Sequence, residues 1–202
     1  MTQPYPNRPE ITLYDPLAEL LGADDGRLTY RFADAVKLAG HACPTVAGTF
    51  LLTIRALEVL YPGQTPERGA IRVTVPGPVD AGVHGPMSQV ITLLTGAAAD
   101  NGFQGLAGRF VRRGLMRFGD GDGDFRFERT DTGAAVTARY DPTPIPGDPD
   151  LQHLMREALD PKAPEAVVQR FRQLWRARVL AILEDAGRQT VHVVPERPPL
   201  EP

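Results

Sequence analysis

GHACPTVAGTFLLTIRALEVLYPG, residues 40–63, is the stretch whose reading decides the fold. Pro44 suits the first position of a helix, because the N–H it lacks would have no intrahelical partner there. Val46, Phe50, Ile54, Leu57 and Tyr61 then recur at spacings of three and four, which predicts a helix with one apolar face turned inward. Pro62-Gly63 ends it. Upstream, RFADAVKLAG (31–40) gives one or two helical turns with Gly40 as the C-terminal stop. Downstream, AIRVTVPG (70–77) alternates apolar and polar residues and reads as a strand with Ile71, Val73 and Val75 on one face. A second amphipathic helix starts at Pro86, buries Met87, Val90, Ile91 and Leu94, and stops near Gly96. Strands are expected over 108–118, 125–130 and 134–140, the last two joined by a hairpin-like turn at Asp131-Thr132-Gly133.

This order predicts an α+β fold: an α-β-α-β-β-β core with helices on one face of a mixed, mostly antiparallel sheet, plus a C-terminal helical appendage. Residues 1–28 read as an N-terminal arm, extended to about residue 12, with a short helical piece in LYDPLAELLG (13–22). Residues 29–140 form the α+β domain, and the Pro-rich DPTPIPGDP (141–149) is a linker. Residues 150–202 form the appendage and tail. Helices are expected there over 151–159 and 164–186, the second with Val168, Phe171, Leu174, Trp175 and Val179 as its apolar stripe. HVVPERPPLEP (192–202) gives a short strand and then an extended, Pro-rich tail.

Among 202 residues, 42% hydrophobic, 22 Lys+Arg stand against 25 Asp+Glu, for a formal charge of -3. That composition supports a buried core and gives no basic footprint for nucleic acid. No run approaches the ~20 apolar residues of a membrane helix, and the N-terminus lacks the pattern of a secretory signal. The expectation is a soluble, cytoplasmic protein with neither nucleic-acid nor membrane partners. A single cysteine among four histidines cannot make an internal disulfide, which points to a reducing compartment or to a thiol with a task.

That thiol, Cys43, falls at the helix cap, where unpaired amide groups and the positive end of the helix dipole favour a thiolate. His41 can turn toward the same point, making a soft N/S metal site or a Cys/His nucleophile pair. VHGP (83–86) repeats the arrangement, with His84 just before a Pro that opens a helix. His41, Cys43 and His84 would then supply three ligands and leave one position open, with Asp80 orienting an imidazole from behind. Each has a plainer reading: Cys43 as a small hydrophobe, His84 as a turn cap, Asp80 as a turn residue. Asp34 has a similarly weak claim. DGDGD (120–124) lacks the sixth-position Gly and twelfth-position Glu of a calcium loop and reads as a solvated turn. Gly102, Gly105 and Gly108 follow a helix rather than a strand, so they are not a dinucleotide fingerprint. Arg109, Arg112, Arg113 and Arg117 read as a solvated or dimer-facing stripe, with an anionic ligand as the alternative. His153 and His192 have no close partner in sequence.

GHACP, then a strand, then DAGVHGPMSQVITLLTG (80–96), then RFVRRGLMRF (109–118) resembles the FmdE-like family, the domain found in a component of formylmethanofuran dehydrogenase and in its bacterial relatives. The likeness spans residues 30–140, and the helix near Trp175 also resembles that family's C-terminal helix. Thr45 stands where the family has Gly, and Ala81-Gly82 and Ala97-Ala98 stand where it has cysteines. The resemblance implies a core like the catalytic domain of glyceraldehyde-3-phosphate dehydrogenase, a homodimer, and a metal near His41 and Cys43. Zinc or another transition metal is the expected cofactor, in a protein accessory to redox or one-carbon metabolism. Two alternatives stay open: a haem protein with Cys43 or a His as axial ligand, and a metal- or thiol-dependent enzyme in which His41 is base to Cys43.

Overall fold

A computed structural model describes residues 5–7, 9–121 and 123–196. The expected helix forms as α3 (Pro44–Leu60), preceded by α2 (Phe32–Ala39), whose C-cap Gly40 takes the left-handed conformation at φ 75°. Strand β3 (Ile71–Val75) and helix α4 (His84–Thr95) follow, then β4 (Met116–Phe118), β5 (Phe125–Arg129) and β6 (Ala135–Tyr140). The helix-strand-helix-three-strand order is therefore present, and the fold is α+β. These strands, with β7 (Val191–Pro195), form a five-stranded sheet in the order β4-β3-β5-β6-β7. Only β3 and β4 run parallel, joined by the crossover through α4; the other neighbours are antiparallel.

Register follows from which face each strand buries. Val73 lies opposite Phe127 on one side and Met116 on the other, and Phe127 lies opposite Val136, so all four sit on the face turned to the helices. The opposite face is polar: Arg72 pairs with Glu128 at 3.0 Å and Arg126 with Glu196 at 2.8 Å. One-sided alternation of this kind is what an antiparallel sheet with one wet face requires.

Helix α3 is buried more completely than its apolar stripe foretells. From Val46 to Ile54 every residue is buried, including Thr49 and Thr53. Their hydroxyls are satisfied inside the helix, Thr49 donating to the Thr45 carbonyl at 2.7 Å and Thr53 to the Thr49 carbonyl at 2.9 Å. Gly48 allows closer approach still, since a Cβ there would overlap the Tyr140 ring.

Several elements differ from expectation. The arm contains a hairpin: β1 (Glu10–Tyr14) pairs antiparallel with β2 (Arg27–Arg31) around α1 (Pro16–Leu20). Ile11 and Leu13 of β1 enter the main core. The strand expected over 108–118 is confined to its last three residues, because the segment before it folds back on itself. Gly105, Gly108 and Gly114 have positive φ there, and Leu106 and Arg109 exchange two backbone hydrogen bonds of 2.9 Å. Helix α4 starts at His84, two residues before Pro86. Asp122 of the acidic turn, the tail from residue 197 on, and residues 1–4 and 8 of the arm lie outside the described residues.

The C-terminal helices are present as α5 (Leu151–Ala158) and α6 (Glu165–Asp185). They join the same core, to which α6 contributes Val179, Ile182 and Leu183 and β7 contributes Val191. Asp185, 4% exposed, fixes the turn into β7, accepting from the Thr190 hydroxyl at 2.7 Å and from the backbone of Gln189 and Thr190. Burial alone would raise its pKa, but these hydrogen bonds to the charged form outweigh it and hold the carboxyl below its ordinary value.

Two outcomes follow from this packing. Gly48→Ala is expected to cost ~1–3 kcal/mol through overpacking against Tyr140, read as a lower denaturation midpoint in urea. Asp185→Asn should destabilise the protein by ~1–3 kcal/mol at neutral pH. Because the folded-state pKa of Asp185 lies below its unfolded value, its contribution is present above the unfolded pKa and disappears as pH falls through the folded one. The two stability curves should therefore converge in acid, and a gap constant with pH would contradict this account.

Candidate functional site

The loop from α2 into α3 forms one wall of a cavity of about 550 Å³, and both His41 and Cys43 line it. Local chemistry explains how the loop is held. Gly40 turns the chain out of α2, and Cys43 then takes the extended conformation of an N-cap, φ -146° and ψ 166°. Its Sγ accepts the Val46 N–H at 3.4 Å, so the thiol caps the helix as its position predicts. His41 is exposed, with Nδ1 3.0 Å from the Ala39 carbonyl oxygen, a contact that fixes the ring and leaves Nε2 as the nitrogen available to a ligand.

The far side of the cavity comes from elements distant in sequence. Trp175 of α6 donates its indole N–H to the Ala42 carbonyl at 2.8 Å, pinning the residue between His41 and Cys43 across 133 positions of chain. Phe171 braces that indole at a ring separation of 5.6 Å. Leu38, Val46, Val83, Pro86 and Val90 make most of the remaining wall apolar, with Thr45, Thr49 and Gln89 as the polar exceptions. This is the composition of a small-molecule site: a mostly apolar concavity with a few convergent polar groups.

Beneath the loop, Tyr140 lies against Gly48. Its hydroxyl is buried with no hydrogen-bond partner among the described residues. Burial pushes the phenol above its ordinary value, with Arg178 opposing and Cys43 adding to the rise. Cys43 is thus electrostatically close to a phenol that stays neutral.

His84 is placed differently. Its Nδ1 lies 3.2 Å from the Pro78 carbonyl oxygen, its ring meets Phe125 edge-on at 6.3 Å, and a Cβ on Gly77 would collide with it. The ring therefore closes the turn between β3 and α4, the plainer of its two roles. Val83 and Pro86, on either side of it in sequence, line the cavity in its place. Asp80 is exposed on the same loop, and Asp34 is spent at the start of α2, accepting from the Arg31 N–H and pairing with Lys37. Among the described residues, no group of three or more His, Cys, Asp or Glu side chains stands together as a metal site. His41 and Cys43 are brought together on one cavity; the three-ligand set with His84 and the supporting Asp80 is not assembled.

The sequence marks Trp175 as part of an apolar stripe and of a helix resembling the FmdE-like C-terminal helix, but gives it no place at a site, and does not reach Tyr140 or Thr49. An indole near the end of such a stripe carries a donor that needs a partner when buried, and that signal alone marks Trp175 for a specific contact. No protein-family model matches this chain, and no curated protein matches it.

Replacing Trp175 by Phe removes the indole donor while keeping much of the ring. Losing that bond should weaken the 41–43 loop by ~1 kcal/mol and speed alkylation of Cys43 about fivefold. An unchanged labelling rate would show that the loop does not depend on Trp175.

Proposed function

We propose that the cavity is a metal-centred ligand site, in which the His41 imidazole and the Cys43 thiolate give two donors to a transition metal ion. The observation that carries this reading is that both line one apolar cavity at the start of a buried helix. An imidazole and a thiolate suit zinc above the harder divalent ions. Two protein donors do not complete a zinc sphere, so the remaining positions fall to a molecule bound in the cavity or to a second copy of the chain, in the homodimer that the resemblance to the FmdE-like family implies. A role accessory to redox or one-carbon metabolism rests on the same resemblance.

When bound, such an ion supplies Lewis-acid polarisation to whatever fills the open positions. The chain's own residues do the rest. The Ala39 carbonyl orients the His41 ring, and the Trp175 hydrogen bond holds the backbone between the two donors. Leu38, Val46 and Val90 exclude water and favour an apolar body on the ligand. Gln89, Thr45 and Thr49 are the polar groups available to orient it.

The same apolar lining favours a second reading, a haem with Cys43 or His41 as axial ligand, because a bare ion needs no cavity of this size. A thiol-dependent enzyme, with Cys43 as nucleophile, is the third. Elemental analysis and a visible spectrum of the protein as isolated, beside Cys43→Ala, separate them. Stoichiometric zinc in the parent protein and its loss in the variant are the expected result. A visible haem band that shifts or vanishes on substitution moves the assignment to haem. Equal metal in both proteins overturns the metal site, and activity that survives chelation but not Cys43→Ala assigns the thiol enzyme.

A further inference from the structure

A second cavity, of about 370 Å³, lies between the turn at residues 67–70 and the folded-back loop at 109–112. Arg112 is its innermost charged group. The side chain is 7% exposed, yet its one hydrogen bond among the described residues is Nη2 to Asp15 Oδ1 at 2.7 Å. A guanidinium carries five N–H donors, so Nε and Nη1 are left without a protein acceptor among the described residues, and neither atom is sealed from solvent. Room for this group is made by glycine: a Cβ on Gly69 would overlap the guanidinium, and one on Gly96 would crowd Nη1 at 3.3 Å.

The charge around Arg112 is also unbalanced. Asp15, 4% exposed, is shared with Arg68, whose Nη1 reaches Oδ2 at 2.9 Å. Arg68 has its own orphan, a buried Nε with no partner among the described residues. One buried carboxylate thus serves two guanidinium groups. Arg109 adds a third at the cavity's edge, exposed, its charge resting 4.7 Å from the Phe110 ring centre and paired with no acid among the described residues. Glu67, exposed on the opposite rim, is the one acid among the described residues that lines this cavity. Burial lowers the pKa of Arg112, with Asp15 opposing, which marks the same cost of an incompletely paired buried cation.

The loop holding Arg109 is fixed rather than slack. Leu106 and Arg109 exchange backbone hydrogen bonds, and the non-glycine residues Ala107 and Phe110 sit at φ 49° and 60°. Backbone in this region costs ~1–3 kcal/mol per residue and persists where the surroundings over-determine it. The paired Leu106–Arg109 backbone thus holds Arg109 beside the cavity that Arg112 also lines.

We propose that this cavity binds an oxyanion-bearing small molecule, its phosphate or carboxylate group accepting from Arg112 and Arg68 and closed over by Arg109. Such a group supplies both the acceptor that the unpaired donors of Arg112 lack and the negative charge the triad lacks. Thr130, which also lines the cavity, offers a neutral contact to the rest of the ligand. The site shares no lining residue with the cavity at Cys43, so it stands independently of any metal there.

Titration calorimetry with inorganic phosphate, at ionic strength held constant with chloride, tests this, with acetate as the carboxylate arm. Arg112 itself is a poor probe, since removing it strips Asp15 of a partner in the core. Arg109→Gln and Glu67→Gln are exposed and leave the core intact. Saturable phosphate binding is expected, weakened ~10-fold by Arg109→Gln and tightened ~3-fold by Glu67→Gln. Binding of acetate but not phosphate, with the same two responses, assigns a carboxylate ligand. No binding of either anion above the chloride baseline, or binding that Arg109→Gln leaves unchanged, overturns the proposal.

Discussion

Everything in this fold answers to one constraint: α3 has almost no side left for solvent. From Val46 to Ile54 the helix is buried on every side, leaving the Arg55–Glu58 edge near its end to water, and the chain supplies the cover piece by piece. The inner face of the sheet lies along one side, α4 and α2 close a second, and α6 closes a third. Where the surround is closed, around Val46–Ile54, the polar atoms inside it have no recourse to water. The two buried threonines bond back to their own helix, and Gly48 gives up its side chain so that Tyr140 can lie flat against the backbone.

The candidate site is a by-product of that enclosure. A buried helix still has to begin somewhere, and its first amide groups emerge where α2, α4 and α6 do not quite meet. Cys43 sits in that gap as the cap, and the cavity is the space the three helices leave around it. The arrangement ties the chemistry of a loop near residue 42 to a helix beginning at Glu165, through a single indole hydrogen bond. The Asp15 cluster does similar work with charge, fastening the N-terminal hairpin to the turn after α3 and to the loop before β4.

Local rules make much of this legible in the order of residues. Gly40 as a C-cap, Cys43-Pro44 as a helix start, the alternation of Ile71, Val73 and Val75, and the turn at Asp131-Thr132-Gly133 are each decided within a few residues, and each is where the sequence places it. What escaped depends on distance. EITLY and RLTYR alternate as strands do, but the Pro-rich start obscures them and their pairing is set by a partner thirteen or more residues away. The loop before β4 reads as a strand because its Arg-rich, apolar text alternates. Left-handed turns at Gly105, Ala107, Gly108, Phe110 and Gly114 reverse it. His84 shows the same limit for chemistry. Its place just before the helix-opening Pro86 copies that of His41 before Pro44 closely enough to imply a shared centre, yet the space beside Gly77 and the edge of Phe125 draw the ring the other way. The run of Arg109, Arg112, Arg113 and Arg117 admits an anionic ligand, but the charge imbalance that singles out Arg112 is not legible in it, since Asp15 stands 97 positions away.

The position of β7 has a consequence for how the protein comes into being. This strand lies beside β6 and against α3, yet it is made of residues 191–195. A nascent chain emerging from the ribosome therefore carries α3, its most apolar segment, for more than a hundred residues before this part of its cover exists. Burial of this side of α3 completes only when that strand arrives, which places the last step of its packing late in the chain and makes that packing depend on long-range contacts.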